Sequence, residues 1–246
     1  MDFRTNTGAS PAGGASGPNG PGLSVEGEFE TRLTVRADRP GALVALGHWA
    51  AAHGLELTHI ILDRGRTPSR PILTLRGTGT LAEHRLAAAE CATRLACAGF
   101  GVVRTKTAAA PWNDGVPETD ADASVLPAHC HFEHHITLRL PIPYDTHRLI
   151  AVAEQHTAHV SRAARRVLPG GVQERFVTQR VHGVGRPAAR AGLDALLDAL
   201  LASGYQPVDI EEEFVLLDDN PAVDSGWIEE CERNEPSPGT GSPGPL

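Results

Sequence analysis

Aromatic side chains are scarce in this chain of 246 residues, which is 4% aromatic and 41% hydrophobic. A core therefore has to be built mainly from aliphatic side chains. Lys106 is the only lysine, and Lys and Arg together number 22 against 30 Asp and Glu, so the formal net charge is −8. Proteins that bind nucleic acids or membrane surfaces through charge are normally basic. We therefore expect neither partner.

Paired cysteine motifs and long apolar runs are also missing. The chain has four cysteines, none of them in a CxxC pair, and its N-terminus does not have the pattern of a signal peptide. These absences favour a cytoplasmic protein whose thiols are reduced.

Three segments have the composition of tails or linkers. Residues 1–26 and 229–246 are rich in Gly, Pro and Ser and have little to bury, so we expect both to be disordered. Residues 108–128 combine Pro and Gly with acidic side chains, which is typical of a linker between domains.

The two segments that this linker separates, 27–107 and 129–228, are similar to each other. FETRLTVR from Phe29 matches FEHHITLR from Phe132, and PILTLR at 71–76 matches RFVTQR at 175–180. Each half reads strand, helix, strand, strand, helix, strand. The sequence thus predicts an α+β fold of two tandem ferredoxin-like βαββαβ repeats with antiparallel sheets. Strands are expected at 29–36, 55–63, 71–77, 100–107, 131–140, 157–164, 174–182 and 205–217, and helices at 41–53, 80–98, 146–156 and 187–203.

A dense group of polar side chains begins the second repeat, where residues 129–135 read HCHFEHH. Side chains alternate between the faces of a strand, so the apolar residues face the helices and the polar ones face away. The matched strand of the first repeat has Arg32 where the second has His135, and only the second repeat adds several histidines and an acidic fourth strand. We therefore expect a site for a small anionic or zwitterionic molecule on the sheet face of the second repeat. The candidate ligand-binding residues are Glu133, Thr137, Arg139, Arg180, His182, Glu211 and Glu213.

A metal site is the other reading of this histidine-rich strand. Residues 131, 133 and 135 span roughly 13 Å along one face, so their side chains cannot all reach one ion. A metal held by His131 and His135 would need a further ligand from another strand. No second HxH or CxxC motif supplies it, which leaves His159 and His182 as the candidate donors from neighbouring strands. We expect neither a metal nor another cofactor.

The first repeat has a turn that points to a known family. Asp38-Arg39-Pro40-Gly41 follows the first strand, and Gly54 precedes the second. This resembles the ACT domain, a βαββαβ module that often binds amino acids in metabolic regulators and has an Asp-Arg-Pro-Gly-x-Leu turn. The resemblance implies a small-molecule binding or regulatory role. It covers only the first repeat, because the second has Pro141-Ile-Pro-Tyr-Asp-Thr at this turn.

A second resemblance supports an enzyme. His135-Ile-Thr137 and His159-Val-Ser161 resemble the His-x-Thr/Ser motifs of 2H phosphoesterases, in which two histidines act as general acid and base. This implies His135 and His159 as catalytic residues acting on a phosphoester or another anionic substrate. That family has one motif in each half of its duplication, whereas both motifs lie in the second half here. A binding protein, an enzyme and a purely structural pseudo-dimer all stay open, as does a homo-oligomer.

Overall fold

The computed structural model describes residues 24–61, 69–161, 166–167 and 171–224. Its strands are β1 (Glu26–Arg36), β2 (Glu56–Ile61), β3 (Ser69–Thr80), β4 (Gly101–Ala109), β5 (His131–Leu140), β6 (Ala158–Val160), β7 (Arg166–Val167), β8 (Gln173–His182) and β9 (Pro207–Asp218). Its helices are α1 (Ala42–Ala52), α2 (Leu81–Cys97), α3 (Asp120–Ser124), α4 (Thr146–Gln155) and α5 (Arg186–Ala202), followed by a 3-10 helix at Pro221–Asp224. The sequence predicted the main elements but not α3, β7 or the 3-10 helix, and the strands expected at 55–63 and 157–164 extend into residues outside the described ranges.

The strands form one antiparallel sheet in the order β2-β3-β1-β4-β9-β5-β8-β6, with β7 also paired to β8. The predicted α+β class and the two ferredoxin-like repeats are confirmed. The sheets of the two repeats are continuous, because the fourth strands β4 and β9 pair over Lys106↔Asp218 to Ala109↔Phe214. In each repeat the fourth strand would otherwise be an open edge, and pairing the two edges satisfies their backbone groups.

The described residues form three apolar clusters on the helix side of this sheet. One packs Leu33 and Leu73 against α1 and α2, and another packs Ile136 and Val177 against α4 and α5. The third includes Phe29, Phe132 and Phe214 and joins the repeats. The rings of Phe132 and Phe214 lie 4.7 Å apart. Since even-numbered residues of β5 fill these clusters, its odd-numbered residues face the other side, as the alternation predicts.

Local signals explain where the helices of the first repeat begin. At the turn of the ACT-like motif, Gly41 has a φ of 77°, and the amide of Ala42 donates to the carbonyl of Arg39 at 3.0 Å. A left-handed conformation there costs glycine little. At the start of α2, Thr80 and Glu83 cap each other reciprocally in a capping box.

The segment between the repeats packs against both of them. The amide of Glu26 donates to the carbonyl of Asp114, and the amide of Arg186 donates to that of Pro117. Val116 is buried in the central cluster. The tails expected at 1–26 and 229–246 lie almost wholly outside the described residues.

Curvature of the sheet places its polar face inside a concavity. Strands β3 and β8 are five positions apart in the sheet, a distance of about 24 Å if the sheet were flat. Nevertheless, Arg70 of β3 and Arg180 of β8 both lie 2.7 Å from the carboxylate of Asp224. The sheet therefore coils strongly around its open face. Among the described residues, no helix is long and apolar enough to span a membrane.

Candidate functional site

A cleft of about 180 Å³ occupies the concave face and takes side chains from both repeats. Its charged lining comprises Glu30, Arg32, Glu56, Arg70, Arg76, Arg104, Lys106, Glu133, Arg180, Glu211 and Asp224. Apolar lining comes from Ile60, Ile72 and Phe176, and hydroxyl groups come from threonines and Ser161. The cleft therefore offers both signs of charge beside apolar surface.

Lys106 lies at the centre of the cleft floor and connects the two repeats. Its ammonium group donates to Glu133 of β5 at 2.7 Å and to Glu213 of β9 at 2.6 Å. All three side chains are almost inaccessible to solvent, with exposed fractions of 8%, 2% and 10% for Lys106, Glu133 and Glu213. The only lysine of the chain thus bridges two buried carboxylates across the seam between the repeats.

Further cations surround these two carboxylates. Arg32 contacts Glu213 at 3.0 Å, and Arg180 contacts Glu133 at 3.4 Å. Burial by itself would raise the pKa of both carboxyl groups. The attraction of Lys106 and Arg180 at Glu133, and of Arg32 and Lys106 at Glu213, outweighs burial and holds each pKa well below its ordinary value. Both groups are therefore carboxylates at neutral pH.

His135 lies next to both carboxylates and also contacts Thr178, another residue of the cleft lining. Its Nδ1 is 3.1 Å from the hydroxyl oxygen of Thr178. Its Nε2 is 3.3 Å from a Glu133 oxygen and 3.5 Å from a Glu213 oxygen, yet within the described part of the chain this nitrogen makes no well-aligned hydrogen bond. On the same strand, His131 Nε2 is 3.2 Å from Glu133, and its ring stacks on His182. Two imidazoles therefore lie close to one buried carboxylate.

The structure brings together a group of possible metal ligands that differs from the pair His131 and His135 considered from the sequence. Glu133, His135 and Glu213 each place a ligand atom within 4.8 Å of the others, so His131 is not part of the group. Lys106 is already hydrogen-bonded to both glutamates. A divalent cation bound there would be repelled by this ammonium group and by the nearby arginines. The expected absence of a metal stays a prediction.

A second charged centre lies where the 3-10 helix meets the sheet. The carboxylate of Asp224 accepts hydrogen bonds from Arg70, Arg104 and Arg180. Arg104 also binds Asp218, at the end of β9. Burial would raise the pKa of Asp224, but the three guanidinium groups lower it below its ordinary value. This carboxylate therefore stays charged although only 4% of the residue is exposed.

The structure brings together some of the residues predicted from the sequence. Glu133, His135, Arg180 and Glu211 line the cleft, and Glu213 is bonded to its floor through Lys106. The cleft is not confined to the second repeat, however. Arg32, expected to matter only as the counterpart of His135, binds Glu213 from the first repeat. The coiled sheet brings the two repeats to one cavity, which a prediction made repeat by repeat does not include.

Four other predicted residues lie away from the cleft lining. Arg139 is 55% exposed and pairs with Glu174. Thr137 is buried farther along β5, and His182 lies at the far end of β8, where it stacks on His131. His159 faces Thr178 across the β6–β8 pair but does not line the cleft. His135 and His159 nevertheless lie in register on either side of Thr178, so the catalytic pair that the phosphoesterase resemblance implies stays a prediction.

Sequence reasoning did not predict Arg70, Arg104, Lys106 or Asp224 as site residues. The sequence contains part of this information, because Arg104 and Lys106 lie two positions apart on β4 and therefore share a face of the sheet. Their partners lie on strands of the other repeat or on the final 3-10 helix, and these contacts depend on the pairing of β4 with β9 and on the coiling of the sheet.

Matched substitutions on β1 separate a buried ion pair from an exposed one. Arg32→Gln should lower the free energy of unfolding by about 1–2 kcal/mol, because it leaves the buried Glu213 with fewer cations, although Arg32 itself is partly solvated. Arg36→Gln should change it by less than about 0.5 kcal/mol, since both Arg36 and its partner Asp38 are exposed. Urea denaturation at pH 7 measures both values, and equal losses would contradict this assignment.

Comparisons with known proteins leave the family open. No protein-family model and no curated protein matches the chain. Among solved structures, the small subunit of acetolactate synthase from Thermotoga maritima is 12% identical, with a TM-score of 0.30 over 78% of this chain and 95% of that one. The regulatory subunit of aspartate kinase from Thermus thermophilus is 15% identical, with a TM-score of 0.29 over 72% and 96% of the two chains. These similarities are too weak to carry an argument about function.

Proposed function

We propose that this protein binds a small anionic or zwitterionic molecule in the cleft between its two repeats, as a ligand-binding or regulatory protein. The observation that carries this proposal is the cleft itself, which combines buried charges of both signs with an apolar lining. Small-molecule sites are typically concave, with a few polar groups placed among apolar ones.

The energetics of the cleft favour a binding role over a purely structural one. Buried ion pairs contribute little net stability, because removing charges from water costs about as much as their attraction returns. An apolar sheet face closed by packing would stabilise the joint between the repeats at least as well. Charges retained on a concave surface are better explained by a ligand that uses them.

The size of the cleft limits the ligand. An apolar cavity of about 150 Å³ is enough to hold benzene. A cleft of about 180 Å³ therefore suits a molecule of amino-acid size. Its anionic group would bind arginine side chains, while Glu211, which is 54% exposed, is accessible to a ligand's ammonium group.

Isothermal titration calorimetry with the twenty standard L-amino acids, acetate, succinate, citrate and inorganic phosphate tests this proposal. We expect at least one of them to bind with a stoichiometry of one. Ile60→Trp should weaken that binding at least tenfold, because the larger ring fills the cleft without changing its charges.

Val44→Trp is the matched control for this substitution, because Val44 lies on α1 and is 63% exposed. Its affinity should equal that of the unmodified protein. Binding that is equally strong in both tryptophan variants would place the ligand outside the cleft, and the absence of any binding from this panel would count against the proposed ligand class.

A further inference from the structure

Three arginines of the cleft converge on one carboxylate from widely separated strands. Arg70 comes from β3, Arg104 from β4 and Arg180 from β8, so both repeats contribute. Arg70 donates to Asp224 Oδ1 at 2.7 Å, and Arg180 donates to Oδ2 at 2.7 Å. Arg104 donates to both oxygens, at 3.1 and 3.0 Å. Each carboxylate oxygen thus accepts two hydrogen bonds from guanidinium groups.

This geometry is that of a binding site for a planar carboxylate. A guanidinium group that faces both oxygens with two parallel N–H groups matches carboxylate geometry in a way that an ammonium group does not. The site is also buried, since Arg70, Arg104 and Asp224 are 6%, 9% and 5% exposed. Charge-assisted hydrogen bonds are strongest where water is excluded.

The carboxylate that occupies this site does not come from the sheet. Asp224 ends the 3-10 helix Pro221–Asp224, which follows the last strand. Among the described residues, the other contacts of this segment include the buried Val223 and Asn220, whose side-chain amide donates to the carbonyl of Val103 and whose backbone amide donates to Asp218. Moving this short segment would break no strand pairing, whereas the arginines are fixed by three strands of the sheet.

We propose that Arg70, Arg104 and Arg180 form a carboxylate-binding site and that Asp224 is its built-in occupant, whose place the carboxylate of a ligand takes. The assignment rests on the proposed function and deepens it, because it names the group by which the ligand is held. It also makes the final 3-10 helix a competitor, so the apparent affinity of the cleft depends on how readily Asp224 leaves.

Chemical complementation tests the site without knowledge of the natural ligand. Asp224→Ala removes the carboxylate and leaves a methyl group, and acetate can restore what is lost. We expect Asp224→Ala to lower the Tm by about 5–10 °C, because the buried Arg70 and Arg104 and the largely buried Arg180 lose their shared partner. Acetate should recover at least half of this loss with saturating dependence, whereas sodium chloride of equal ionic strength and neutral acetamide should not.

The second variant, Asp224→Ala with Arg104→Gln, should show no recovery in acetate beyond that in chloride. If Asp224→Ala does not fold in chloride, the yield of refolded protein in acetate against chloride replaces the Tm. Recovery no greater in acetate than in chloride would overturn the proposal. Stronger recovery in inorganic phosphate than in acetate would overturn the assignment to carboxylates.

Calorimetry of Asp224→Ala with the compound that binds the unmodified protein separates this inference from the proposed function. Affinity should rise at least tenfold, because the competitor is gone. Weaker binding would show that Asp224 is part of the ligand's surface and would overturn the inference while leaving the proposed function intact. Conversely, recovery by acetate would stand even if no compound bound the unmodified protein.

Discussion

Replacing Lys106 with methionine should lower the free energy of unfolding by about 3–5 kcal/mol at pH 7. Methionine fills a similar volume but leaves the carboxylates of Glu133 and Glu213 buried without their shared ammonium group. Breaking a buried pair by removing one partner is costly, because the remaining charge is neither solvated nor neutralised. Urea denaturation followed by circular dichroism measures the loss.

Two controls show whether charge is the cause. Arg85→Met on the exposed face of α2 should change stability by less than about 0.5 kcal/mol. The triple variant Lys106→Met with Glu133→Gln and Glu213→Gln should regain part of the loss, because no buried carboxylate then lacks a cation, while Arg32 keeps Glu30 and Arg180 keeps Asp224 as partners. A loss below about 1 kcal/mol in Lys106→Met would mean that these charges are solvated.

The loss in the free energy of unfolding caused by Lys106→Met should depend on pH. In the unmodified protein the pKa values of Glu133 and Glu213 lie well below 4.5, so their attraction to cations contributes fully above pH 4.5 and is lost as the pH falls through the folded-state values. Without Lys106, burial raises both pKa values, so the two carboxyl groups become protonated at a higher pH than in the unmodified protein. The difference in stability should therefore narrow as the pH falls toward and below 4.5.

Glu213→Gln should lower the free energy of unfolding by about 3 kcal/mol, whereas Glu211→Gln should lower it by less than about 0.5 kcal/mol. Both residues lie on the open face of β9, two positions apart, but Glu213 is 10% exposed and Glu211 is 54% exposed. Glu213 contacts Lys106 and Arg32, so its neutralisation leaves the buried Lys106 and the partly buried Arg32 with one carboxylate fewer. Parallel urea titrations of the two variants measure the difference, and similar losses would contradict the view that burial sets the strength of these ion pairs.

The repeats and the open face of each strand could be predicted because both follow from local patterns. The match between FETRLTVR and FEHHITLR indicates the duplication, and the alternation of Phe132 and Ile136 with Glu133 and His135 assigns each side chain to a face. Neither inference needs to know which strands are neighbours beyond one repeat.

The site depends on contacts that these patterns do not contain. Nothing in the alternation of β4 indicates that its free edge pairs with β9, which brings Lys106 to Glu133 and Glu213. The coiling of the sheet, which places Arg70 and Arg180 around one carboxylate, is likewise a property of all its strands together. Asp224 belongs to the acidic stretch DDNPAVD at 218–224, a composition typical of a solvated loop, although it is almost fully buried.

The central claim is that a small molecule binds in the cleft shared by the two repeats, and the only lysine gives a direct test of it. Protein grown with ¹⁵N-lysine should show a single lysine amide resonance, that of Lys106 in the cleft floor. We predict that the compound found by calorimetry shifts this resonance to saturation in the unmodified protein and in Val44→Trp, but not in Ile60→Trp. A resonance that stays unmoved while calorimetry shows saturation would contradict the claim, because the ligand would then be bound elsewhere on the molecule.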